Sequence, residues 1–124
     1  MALDFVDLPD ENYTDGMIRI KGINLLEQLA KESEPFFLAI GFKKPHEPFI
    51  APKKYWNLYK YTKFAVAANQ KAPKGREKLR KHILNGKDVQ ANIDPETGLI
   101  NEDFQLQLKQ GYYTSTSFID AQVG

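Results

Sequence analysis

The order of apolar and polar positions divides the chain into four blocks. Residues 1–15 are acidic, turn-rich and weakly periodic. Residues 16–33 carry Ile18, Leu25, Leu26 and Leu29 on one stripe, with Arg19, Glu27, Gln28 and Lys31 off it. That spacing predicts a helix, because residues three or four apart share a helical face. Thr14 or Asp15 is its expected N-cap. Gly22 weakens it by about 1 kcal/mol relative to alanine. The continuous apolar run PFFLAIGF, residues 35–42, is short, aromatic and bounded by Pro35 and by Lys43-Lys44-Pro45. It predicts a strand buried on both faces, as in a parallel sheet. A helix leading directly into such a strand indicates α/β architecture.

After the run comes KKPHEPFIAP, where Pro45, Pro48 and Pro52 hold the chain extended and limit its conformations. PKKYWNLYKY predicts a short helix starting at Pro52 or Lys53. Lys63, Lys71, Lys74, Arg76, Lys78, Arg80 and Lys81 make the next stretch basic. A solvated face with a helix around 75–85 is favoured there over a patch for an anionic substrate or nucleic acid. Gly86, Pro95 and Gly98 mark residues 86–100 as loop. The last block, 101–123, predicts a long helix capped by Asn101, with Glu102 and Asp103 in its first turn. Its expected buried stripe is Phe104, Leu108, Tyr112, Ser115, Ile119 and Val123. One strand needs neighbours to satisfy its backbone. The expectation is therefore a single α/β segment, 1–124, cut from something larger.

Composition narrows the function classes. With 124 residues, 42% apolar and 27% charged, the chain suits one small globular unit. A formal net charge of +1 gives no bulk attraction to nucleic acid or an anionic membrane. No apolar run approaches the length that spans a bilayer. The absence of cysteine excludes disulfides, thiolate metal sites and a cysteine nucleophile within this chain.

Two histidines are candidates for chemistry. His82 lies in the basic stretch and reads as a surface residue. His46 lies just past the C-terminal end of the predicted strand, where ligands gather in open α/β sheets. Pro45 and Pro48 flank it, and Lys43 and Lys44 are beside it. A histidine with neighbouring cations suits sulfate, phosphate or carboxylate. Spacing alone leaves His46 open between that role and a plain loop histidine. Asp7, Asp10, Glu11 and Asp15 do not match a calcium-binding loop and read as turn and cap residues. Ser115 and Ser117 read as helix-packing residues, and there is no phosphate-binding glycine loop or HExxH.

PFFLAIGFKKPHEPF, residues 35–49, resembles the apolar strand and K-P-H-x-P-F loop of the sulfatases, in their iduronate-2-sulfatase and choline-sulfatase branch. YYTSTSFIDAQVG, residues 112–124, resembles that branch's Y-[YF]-A-S-[VI]-S-[YF]-[LIV]-D-x-Q-[VI]-G helix, with Thr114 where alanine is usual. LPDENYTDG and INLLEQLA resemble its acidic turn and preceding helix. DVQANI, residues 88–93, is a weaker match.

The resemblance implies that residues 1–124 are an incomplete segment, missing most of the central sheet, of an α/β catalytic domain with an alkaline-phosphatase-like fold. It implies hydrolysis of sulfate esters, of sulfated small molecules or glycans, as in glycosaminoglycan degradation. It implies a formylglycine nucleophile made from a C/S-x-P-x-R motif and a calcium ion. It also implies that His46 is the catalytic, substrate-contacting histidine and that Lys44 matches a substrate-side lysine. The chain has no C/S-x-P-x-R; Ser33-Glu34-Pro35-Phe36-Phe37 places phenylalanine where arginine is needed. The paired metal aspartates are also missing. The nucleophile and metal ligands are therefore expected outside this chain, no cofactor within it, and no activity from it alone. The parent is expected to be periplasmic, secreted or lysosomal, and the chain by itself to self-associate. The alternative is a non-enzymatic module that binds anions or sulfated glycans.

Overall fold

A computed structural model describes residues 3–60, 62–71, 74–75 and 87–124. The chain folds as β1 (Leu3–Asp4), a 3-10 turn (Asp10–Asn12), α1 (Thr14–Leu29), β2 (Phe49–Ile50), α2 (Lys53–Asn57), α3 (Lys87–Gln90) and α4 (Glu102–Val123). Small mixed α/β architecture is therefore present, with a parallel sheet of two short strands. Leu3 pairs with Phe49 and Asp4 with Ile50. The amides of Ala51 and Lys53 extend the pairing to Asp4 O and Val6 O. The predicted helix around 75–85 and His82 lie outside the described residues, apart from Gly75.

The long helix forms where the sequence places it. The Asn101 side chain accepts from Phe104 N at 2.8 Å and caps α4. Its buried face is turned from the expected one: Phe104, Gly111, Thr114, Ser115, Phe118 and Gln122 are inside. Tyr112 and Val123 are exposed. The cause is Gly111. A side chain there would run into Leu3 and Phe49, so the helix turns its bare backbone to β1 and β2. Phe118 then anchors the core with Ala51 and Tyr55, and Phe5 and Tyr13 pack against it. Aromatic edges meet faces there, with ring centroids 5.7 Å apart for Tyr13–Phe118.

Two expectations are corrected. Residues 35–42 do not form a strand. They run without sheet partners, and Phe37 is 92% exposed. A buried parallel strand needs hydrogen-bonding neighbours on both sides, and the chain's one strand pair, among the described residues, lies elsewhere. The apolar stripe of α1 is not a core stripe either. Leu25 and Leu26 are exposed, along with Met17, Ile20 and Ile23. Part of this face opens on a groove of about 410 Å³ lined by Gly22, Ile23, Leu26, Ile40, Phe42 and Val123. No helix among the described residues is long and apolar enough to cross a membrane.

Candidate functional site

The loop from Lys43 to Phe49 is held at three points. The first is Asp15, the second residue of α1 and only 1% exposed. Its Oδ1 accepts from Lys43 N at 2.7 Å and its Oδ2 from Lys44 N at 2.9 Å. The sequence reading of Asp15 as a helix cap is thereby corrected. Tyr13 occupies the N-cap position without a side-chain bond to the helix, and Asp15 instead grips a loop 28 residues further along.

The second point is a tight turn in which His46 N donates to Lys43 O at 3.1 Å. The third is the Lys44 ammonium, which donates to His46 O at 3.0 Å and to Pro48 O at 2.6 Å. Burial pushes Lys44 below its ordinary value, opposed by the nearby Asp15 carboxylate and reinforced by Lys43. Two of its three ammonium hydrogens are thus engaged by the loop's own carbonyls. The Lys44–Pro45 and Glu47–Pro48 bonds are cis.

His46 is exposed. Its Nδ1 lies 2.6 Å from Glu47 O. A carbonyl can only accept, so Nδ1 carries the hydrogen and the neutral ring presents a lone pair on Nε2. A protonated ring would present an Nε2–H donor. Beside the loop, Tyr13, Thr14, Asp15, Lys43, Lys44 and Phe118 help line a cleft of about 90 Å³. The structure thus brings Lys44 and His46 into one bonded loop and places Asp15 beneath it.

Sequence reasoning missed a second cluster. Asp10 accepts from the Tyr55 hydroxyl at 2.6 Å and from Gln122 Nε2 at 3.2 Å, and it pairs with Lys54 at 2.7 Å. Burial raises the Asp10 carboxyl, but the bonds from Lys54, Tyr55 and Gln122 together hold it below its ordinary 3.8. No local signal links residues 10, 55 and 122, because they meet only on folding. Among the described residues, no three His, Asp or Glu side chains gather to hold a metal ion. The described residues do not fit a calcium site.

The chain belongs to the sulfatases, within the alkaline phosphatase superfamily, as its KPHEPF loop and terminal helix imply. It is 36% identical to the iduronate 2-sulfatase of Homo sapiens over 127 aligned positions, covering 98% of this chain and 23% of that protein. It is 34% identical to an arylsulfatase of Clostridium perfringens (strain 13 / Type A), covering 74% of this chain and 18% of that protein. It is 23% identical to the choline-sulfatase of Rhizobium meliloti (strain 1021), covering 80% and 19%. No protein-family model matches the chain. The chain spans about a quarter of the length of the curated relatives it matches.

Proposed function

We propose that this chain is the part of a sulfuric ester hydrolase that presents His46 to the sulfate ester, with sulfated glycans as the substrate class. The observation that carries the reading is the exposed His46 ring with Nδ1–H committed to Glu47 O and Nε2 left uncommitted by that bond. Protonated, Nε2–H donates to a sulfate oxygen or to the leaving-group oxygen, where negative charge grows as the ester bond breaks. Lys44 adds a positive charge beside it and offers its third hydrogen to the anion. The loop's bonds hold both groups in place before substrate arrives, which lowers the cost of orienting them.

In this reading the formylglycine nucleophile and the calcium ligands come from other segments of the catalytic domain. The chain alone does not turn over substrate, and the parent works in a periplasmic, secreted or lysosomal compartment. The relatives' names, iduronate 2-sulfatase and arylsulfatase, support the sulfate ester class.

The test is His46→Gln in the full gene product, assayed with 4-nitrophenyl sulfate. The expected loss in kcat/KM is about 10²–10³-fold. An unchanged kcat/KM removes His46 from the reaction. A gene without a C/S-x-P-x-R motif beside this segment, whose product still binds sulfated glycans through His46, favours the binding-module alternative.

A further inference from the structure

We infer that Asp15 is a positioning residue for His46, setting the orientation in which the loop offers Nε2 to the sulfate ester. The inference rests on the reading of His46 as the substrate-facing group and adds a residue that the sequence reading took for a turn or cap.

The argument begins with burial. A carboxylate removed from water is costly unless its oxygens are hydrogen-bonded. Asp15 is 1% exposed, in a molecule that leaves many of its large apolar side chains in solvent. Each of its oxygens accepts one short bond, and both donors are backbone amides of one loop, at Lys43 and Lys44. Charge-assisted bonds of this kind are among the stronger ones. Helix geometry fixes the other end. Asp15 stands in the first turn of α1, where Gly16 packs against the Asp10 backbone too closely to admit a side chain.

Beyond the clamp the Lys44 ammonium ties the loop to itself, at His46 O and Pro48 O, and not to the rest of the fold. Pro45 and Pro48 have no N–H to donate. After Lys44 N, the next backbone bond along the loop is His46 N to Lys43 O. The amide of Lys43 is bonded to Asp15, and the carbonyl of Lys43 is bonded to His46 N. Movement of the Asp15 carboxylate is therefore passed through one residue to the histidine. A loop displaced by an ångström is enough to cost a large factor in rate.

The test is a double-mutant cycle in the full gene product. Asp15→Asn keeps the shape but replaces one acceptor oxygen with an NH₂ that faces a backbone N–H. If Asp15 acts through His46, Asp15→Asn lowers kcat on 4-nitrophenyl sulfate about tenfold or more with little change in KM. In a His46→Gln background the same substitution then has almost no further effect. Equal losses in both backgrounds, or no loss in either, overturn the inference. If His46→Gln has no effect, the reading of His46 fails and this inference with it. Loss at His46 without loss at Asp15 removes Asp15 alone.

A second measurement guards against misfolding of the variant and needs none. In the unsubstituted chain, the Lys43 and Lys44 amide protons are expected downfield and protected from hydrogen exchange by NMR. Exchange of both at unfolded-chain rates overturns the clamp.

Discussion

The Tyr55 hydroxyl donates to Asp10 Oδ2 across 2.6 Å, joining α2 to the turn before α1. Gln122, near the end of α4, donates to the same oxygen at 3.2 Å. One carboxylate thus ties together three parts of the chain separated by up to 112 positions. Removing one donor, as in Tyr55→Phe, is expected to cost about 1–2 kcal/mol in urea unfolding. A loss below a few tenths would show that the bond adds nothing net.

The same carboxylate predicts an acid limb of stability. Asp10 is held below its ordinary 3.8 in the folded chain, since its hydrogen bonds outweigh burial. The unfolded chain therefore takes up the proton first as pH falls. The stabilisation is complete above the ordinary value and drains away as pH drops through the folded one. Asp10→Asn is expected to be less stable near neutrality and to show a flatter loss as pH falls through and below the ordinary 3.8. Parallel curves for the two proteins would remove Asp10 from the acid transition.

Two glycines of α1 are expected to respond oppositely to alanine. At Gly16 a methyl group would meet the Asp10 backbone carbonyl, which cannot swing aside. Overpacking of about 1–3 kcal/mol then exceeds the roughly 1 kcal/mol gained in helix propensity. At Gly22 the methyl meets the tip of the Ile40 side chain, which can move. Gly22→Ala is expected to be neutral or slightly stabilising. Thermal melts of the two variants decide it, and equal shifts would count against the packing argument.

Lys44 is expected to hold the loop as well as to meet the anion. Lys44→Met removes the bonds to His46 O and Pro48 O. Local protection should fall by about 1 kcal/mol, or roughly fivefold in hydrogen exchange at the His46 amide. Lys43→Met should leave that rate unchanged. Equal rates in all three proteins would show that the ammonium contacts do not order the loop.

The exposed apolar surface predicts self-association. Phe37 is 92% exposed, and Phe36, Ile40 and the α1 residues Ile23 and Leu26 are exposed too. Patches of this kind drive association in water. Light scattering of the chain is expected to show mass rising with concentration, and Phe37→Asp to reduce the rise. A monomer at high concentration would refute it.

The sequence by itself determined what depends on near neighbours. Helix spacing, the Asn101 cap and the proline-punctuated loop were legible because each is settled within a few residues. So was the start of α2 at Pro52 or Lys53, and the KPHEPF signature pointed to the sulfatases. Tertiary structure alone decided which faces were covered. The run 35–42 has the composition of a buried strand, but pairing requires partners that no local pattern supplies. Gly111 turned α4 away from its most apolar stripe by admitting Leu3 and Phe49. The grip of Asp15 on Lys43 and Lys44 was equally hidden. An aspartate after a helix start reads as a cap, and only folding brings an amide 28 residues away into its reach.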